Sequence, residues 1–159
     1  MSVAFKEWFA ICEALGRGAQ DIIIRKGGIH EGRGGFEFVH DSFYLFPTLF
    51  HKQLAQVKQQ AHEWMPTTQK KLWSLGEIVP VKYRCTVERS ELLTDWDAVL
   101  ELSGRHVYTE GLVAERYGWE GKGMKSGCIN VAYVRTEVLI EPLEIAYQKS
   151  HGGCRSWIE

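Results

Sequence analysis

The chain has 159 residues, is 45% hydrophobic and 12% aromatic, and balances 19 basic against 20 acidic side chains for a formal net charge of −1. That length suits one domain or two very small ones, and the apolar share is enough to build a core without disulfides or metal. Balanced charge excludes a protein that attracts nucleic acid by bulk electrostatics, so any such binding has to come from a local patch. There is no apolar run of about eighteen residues to cross a bilayer, so no membrane partner is expected. The N-terminus MSVAFKEWFAIC has neither a basic leader nor a small-residue cleavage site, and the expected location is cytoplasmic. Cys12, Cys85, Cys128 and Cys154 are scattered, with no CxxC pair, and read as free, buried thiols of a reducing compartment.

In chain order, EWFAICEAL (7–15) and AQDIIIRK (19–26) are apolar runs joined by Gly16-Arg17-Gly18. They read as a hairpin, because the β-branched IIIRK needs a partner strand. The alternative is a helix over 4–14, with Phe5, Phe9 and Cys12 on one face. FEFVH (36–40) and SFYLF (42–46) follow as short strands, the second ended by Pro47. Residues 48–64 place Phe50, Leu54, Val57, Ala61 and Trp64 on one stripe, which predicts the best helix of the chain, capped by Thr48 and stopped by Pro66. TTQKKLWSLG (67–76) is a short helix or linker.

VPVKYRCTVE (79–88) alternates as a half-buried strand, with Val79, Val81, Tyr83, Cys85 and Val87 inward. TDWDAVLELSG (94–104), with a Thr94/Asp97 capping pair, and TEGLVAERYG (109–118) predict two short helices, each closed by a glycine. WEGKGMKSG (119–127) is a basic loop, CINVAYVRTEVLI (128–140) a long strand continued by EPLEIAY (141–147), and HGGCRSWIE ends the chain. This order gives an α+β fold, a mixed or antiparallel sheet with a few helices. It divides into an N-terminal part, 1–66, with sheet and amphipathic helix, and a C-terminal α+β part, 67–159, or forms one compact domain over 1–159.

RKGGIHE (25–31), FYLFPTLFH (43–51) and GGCRSW (152–157), strung in this order, resemble an uncharacterised prokaryotic family, the domain of unknown function numbered 1802. The resemblance runs over nearly the whole chain. It carries no assigned activity and implies an association with restriction–modification systems. The second half, with its strand, two short helices, long strand and terminal Trp strand, is similar to the small β-barrels of the PUA and ASCH kind. That likeness implies contact with RNA or modified bases.

The stretch RKGGIHEGRGGFEF (25–38) packs five glycines and three cations into fourteen residues. Glycines let a backbone approach a ligand closely, and cations suit an oxyanion. Arg25, Lys26, Gly27, Gly28, His30, Glu31 and Arg33 are therefore a candidate anion or substrate site, with Thr48 at the mouth of the predicted helix as a second wall. The order of a nucleotide-binding loop is missing, and a long strand connection is the plain alternative. His40 and His51 are the candidate proton-transfer residues. Together with His30 they would suit zinc or manganese if they converged, but no HExxH or HxH spacing is present. No metal and no cofactor is assigned. Trp119, Lys122, Lys125, Arg155 and Trp157 pair cations with rings in the manner of a nucleic-acid surface. Cys154 reads as a buried structural thiol rather than a nucleophile. The reading that follows is a nucleic-acid-associated binding module, with DNA or RNA as partner, linked to restriction or defence. The alternative is a small hydrolase or nuclease-like enzyme acting on a phosphorylated or nucleic-acid substrate.

Overall fold

The computed structural model describes residues 2–27, 38–50, 52–68, 70–118 and 127–159. A mixed six-stranded sheet organises them. Its strands are β1 (Ala4–Trp8), β2 (Ile22–Lys26), β3 (Ser42–Thr48), β4 (Ile78–Leu93), β5 (Ile129–Ala146) and β6 (Trp157–Ile158), in the order β2-β5-β4-β3-β1-β6. β1 and β3 are parallel, and every other neighbouring pair is antiparallel. The helices are short: α1 (Phe9–Gly16), α2 (Gln53–Gln56), α3 (Trp96–Leu100) and α4 (Glu110–Tyr117). The α+β class expected from the sequence is the class observed.

The hairpin expected over residues 7–26 does not form. Phe9–Gly16 is a helix, and the partner that IIIRK needs is β5, through pairs from Ile22↔Tyr133 to Lys26↔Ile129. Ile22, Ile23 and Ile24 are all fully buried, as a strand covered on both faces requires. The helix is sealed at its start by buried Gln53, whose side-chain oxygen accepts from the Ala10 amide at 3.1 Å while its nitrogen donates to the Thr48 carbonyl at 3.0 Å. At its end Gly16 lies against Tyr83 so closely that a Cβ would fall within the ring.

The long helix over 48–64 is also absent. β3 runs on through Pro47 to Thr48, which pair with Glu7 and Trp8 of β1, so Thr48 is a strand residue and not a cap. Helix α2 stops at Gln56 because Val57 turns extended to bridge Tyr108. The bridge is built by Lys58 N–H donating to the Val107 carbonyl (2.6 Å) and Thr109 N–H donating to the Gln56 carbonyl (3.0 Å). Residues 59–64 resume as a 3₁₀ turn. The apolar stripe is real, but tertiary hydrogen bonds cut it in two. Residues 38–40 are not a strand, and the first part of FEFVH lies outside the described residues. α3 is capped by Asp95, whose carboxylate accepts from the Asp97 amide, and not by Thr94. Thr109 caps α4 by accepting from the Leu112 amide.

β4 and β5 make a long ribbon from Ile78↔Ala146 to Leu93↔Ile129. Its register slips between Val81↔Leu143 and Tyr83↔Val138, so residues 139–142 bulge opposite Lys82 alone. One apolar cluster joins α1, β2, β4, β5 and α4. A second, under β3 and β4, holds Ala4, Phe46, Leu49, Trp73, Val79, Val81 and Tyr147. Strands from before and after residue 66 thus share one sheet and one core.

Beside the Val57–Tyr108 bridge lies His106, 4% exposed. Its Nδ1 accepts from the Tyr108 amide, and its carbonyl accepts from the Lys58 ammonium at 2.9 Å. Burial, reinforced by Lys58, pushes the His106 pKa down to about 4. The unfolded chain takes up a proton near its ordinary value of 6.5, before the folded one does. Stability is therefore full above pH 6.5 and declines as pH falls towards 4, by about 3 kcal/mol. Denaturant unfolding of His106→Gln is expected to lose that much of the acid-side decline relative to wild type. Equal slopes in the two proteins would refute the assignment.

Candidate functional site

The first strand reads AFKEW. Its alternation sends Phe5 into the core and leaves Lys6 and Trp8 half-buried, but it also buries Glu7, which is 2% exposed. A buried carboxylate is tolerable only when its oxygens are satisfied. Glu7 accepts from Arg25 at 2.9 Å, from the Trp8 amide at 2.8 Å and from the Tyr108 hydroxyl at 3.3 Å. Arg25 in turn donates to the Lys6 carbonyl at 2.8 Å and the Ile24 carbonyl at 3.0 Å, and its guanidinium covers the Phe5 ring. Burial opposes the Arg25 charge, but Glu7 and Tyr108 outweigh it, and its pKa is raised.

Around this knot opens a cleft of about 660 Å³. β1 gives it Lys6, Glu7 and Trp8; the end of β2 gives Arg25 and Lys26; β3 and the residues after it give Phe46, Thr48, Leu49 and Phe50. Leu72, Trp73, Arg116 and Tyr147 complete one side, and His151–Ser156 form the other. Trp8 is piled between Phe50, with centroids 5.0 Å apart, and the Arg116 guanidinium, 5.1 Å from the ring. Trp73 is fixed by donating to the Pro47 carbonyl at 2.8 Å. Among the described residues five cations, Lys6, Arg25, Lys26, Arg116 and Arg155, thus line the cleft against one carboxylate, which Arg25 already neutralises.

Lys6 sits between the walls. Its ammonium donates to the carbonyls of His151 (3.1 Å), Gly152 (3.3 Å) and Gly153 (2.7 Å). Burial outweighs the attraction of Cys154 and, together with Arg155, holds its pKa below the ordinary lysine value. His151 accepts at Nδ1 from the Gln148 amide, and its ring meets Phe46 edge-on at 5.2 Å. Burial and then Lys6 lower its pKa.

The structure brings Arg25, Lys26 and Thr48 from the candidate anion site together with Arg155 from the candidate nucleic-acid surface. Thr48 is a strand residue whose hydroxyl donates to the Glu7 carbonyl at 3.1 Å. Gly27 is needed for close approach: a Cβ there would collide with Cys128, whose carbonyl accepts from the Gly27 amide at 3.2 Å. His40 and Trp157 do not line the cleft. They pack on each other at 4.7 Å, and Trp157 also rests on Phe5 and Phe43. Cys154, expected to be buried, is exposed in the cleft wall, while Cys12, Cys85 and Cys128 are buried and free. Gly28, His30, Glu31, Arg33, His51, Trp119, Lys122 and Lys125 lie outside the described residues. Among the described residues no three His, Cys, Asp or Glu side chains gather as metal ligands, and no helix is long and apolar enough to cross a membrane.

Sequence reasoning passed over Lys6, Glu7, Trp8, Trp73, Arg116 and His151. For the first two a signal existed, since Lys6 and Glu7 are two charges set inside the apolar run VAFKEWFAIC.

A family model described as a domain of unknown function, DUF1802, matches residues 4–159. The chain belongs to the DUF1802 family. This DUF1802 chain is also similar in fold to two solved structures of ZmASCH from Zymomonas mobilis, each 12% identical to it. One, a tyrosine-to-phenylalanine mutant of that protein, superimposes with a TM-score of 0.52 over 99% of this chain and 88% of that one. The other, a serine-to-alanine mutant, does so with a TM-score of 0.49 over 91% and 73%. No curated protein matches. The likeness of fold expected for the second half thus extends over 99% of the DUF1802 chain.

Removing Glu7 would strand the Arg25 guanidinium without its counter-charge. Glu7→Ala is expected to cost about 3–5 kcal/mol in denaturant unfolding. The double variant Glu7→Ala/Arg25→Met should recover part of that loss. Additive losses in the double variant would show that the pair is not coupled.

Proposed function

We propose that this DUF1802 chain is a nucleic-acid-associated binding module that holds one or two nucleotides of an unpaired strand in the cleft. The observation that carries the reading is the lining itself: among the described residues, five cationic side chains and one neutralised carboxylate, set beside the half-buried rings of Trp8 and Phe50. Proteins that grip single strands combine those two elements, charge for the phosphates and rings for the bases. The volume lies within the range of small-ligand sites, roughly 300–1,000 Å³, which suits a nucleotide and is far too small for a duplex. With near-zero net charge overall, attraction has to be local, and the cleft is where cations concentrate. We place the module beside restriction or defence systems, as the family resemblance implies.

Fluorescence anisotropy with labelled single- and double-stranded DNA and RNA, at low and near-physiological salt, tests the proposal. Single strands should bind more tightly than duplexes of the same length. Lys26→Ala/Arg155→Ala should weaken binding at least tenfold and reduce the log–log salt slope by about 1.4, the value for two phosphate contacts on a single strand. The loop pair Lys122→Ala/Lys125→Ala serves as comparison. Absence of salt-sensitive binding to all four nucleic acids would overturn the reading.

A further inference from the structure

The cations of the cleft are not equivalent. An ammonium has three N–H donors and no acceptor. All three directions of Lys6 are met by protein, by the consecutive carbonyls of His151, Gly152 and Gly153 within 3.3 Å. Three adjacent carbonyls can converge on one point because Gly153 holds φ at +77°, a conformation glycine takes without steric cost. The same residue also holds the segment by its backbone: Lys6 N–H donates to the Ser156 carbonyl at 2.8 Å, beside the short β1–β6 ladder of Ala4↔Ile158 and Phe5↔Trp157. Between these two anchors stand Cys154 and Arg155, both exposed.

We propose that Lys6 is a positioning residue. Its ammonium is a tripod that fixes the 151–156 wall and thereby sets where Arg155 stands, while the phosphates of a bound strand are met by Arg155, Lys26 and Arg116. Bonds from a charged donor are the stronger class, and losing three together leaves three carbonyls to find water. The identity of the ligand rests on the nucleic-acid reading above; the tripod does not.

Hydrogen–deuterium exchange of the peptide spanning 149–157 reads the tripod without any ligand. In Lys6→Met its exchange should rise about tenfold or more, with β4 and β5 unchanged. In Lys6→Ala, added propylammonium, which replaces the deleted atoms, should restore protection. Lys6→Gln, which keeps two donors, should fall between wild type and Lys6→Met, and it carries the test if Lys6→Met fails to fold. In the anisotropy assay Arg155→Ala should lower the salt slope by about 0.7, one phosphate contact on a single strand; Lys6→Met, which only displaces Arg155, should lower it by no more than that, and the double variant Lys6→Met/Arg155→Ala should show the slope of Arg155→Ala alone. Unchanged exchange in the Lys6 variants, or a double-variant slope about 0.7 lower than that of Arg155→Ala alone, would overturn the proposal, the latter because Lys6 would then touch phosphate itself. Failure of wild type to bind any strand would sink the nucleic-acid reading and with it the phosphate roles, leaving the exchange result to decide the tripod.

Discussion

The ion pair between Glu7 and Arg25 is the constraint around which the cleft is built. Neither charge would be stable at that depth alone, so each fixes the element that carries it. Glu7 ties β1 to the Tyr108 hydroxyl, and Arg25 ties β2 to the Lys6 carbonyl of β1. β1 lies near one end of the sheet and β2 at the other, with β5, β4 and β3 between them. A bond across that span means the sheet curls until its first and last portions meet, and the cleft lies at the seam. Strand order alone would give an open sheet; the buried pair marks where it closes.

From that seam the chemistry follows by alternation. Glu7 points inward, so its neighbours Lys6 and Trp8 face the cleft, one supplying charge and the other a ring. Parallel pairing with β3 brings Thr48 beside Trp8, and the chain then delivers Leu49 and Phe50 to the same wall. α4 adds Arg116, which lies over both Trp8 and Tyr108 and donates to the Ile24 carbonyl. The C-terminal segment supplies the other wall, anchored to β1 through the β6 pairing and through Lys6. Residues from both ends and the middle of the chain therefore meet at a place no local motif announces.

Much of the architecture could be read from the sequence, and the failures share a cause. The half-buried alternation of β4, the length of β5, the two short helices after β4 and the α+β class are local or periodic signals, and they held. What failed depended on distant partners. IIIRK pairs with β5, over a hundred residues on, and not with the run before it. The stripe from Phe50 to Trp64 satisfies helical spacing, yet Val57 is drawn into a bridge with Tyr108, and no window of sequence reveals that choice. The site was legible in fragments. The chemistry of Arg25, Lys26, Thr48 and Arg155 marks them in the sequence and all four reach the cleft, but nothing local shows that Arg155 joins the other three. The Trp157 ring, a stacking candidate by its chemistry, packs on Phe5, Phe43 and His40 away from the cleft lining. Lys6 and Glu7 were hidden because a charged pair in an apolar strand makes sense only once its partners are known.

The bulge at residues 139–142 interrupts an exposed apolar edge of the sheet. Beyond Tyr133, the outer edge of β5 has no strand beside it among the described residues. A flat run there, carrying Val138, a fully exposed Ile140 and Leu143, would be a template for edge-to-edge growth. The bulge breaks the hydrogen-bond rhythm in the middle of that run, Pro142 removes one donor from it, and Glu137, Glu141 and Glu144 add like charges that repel a second copy in register. An edge so bent and charged is a poor template for the addition of another strand, although its aliphatic side chains are exposed.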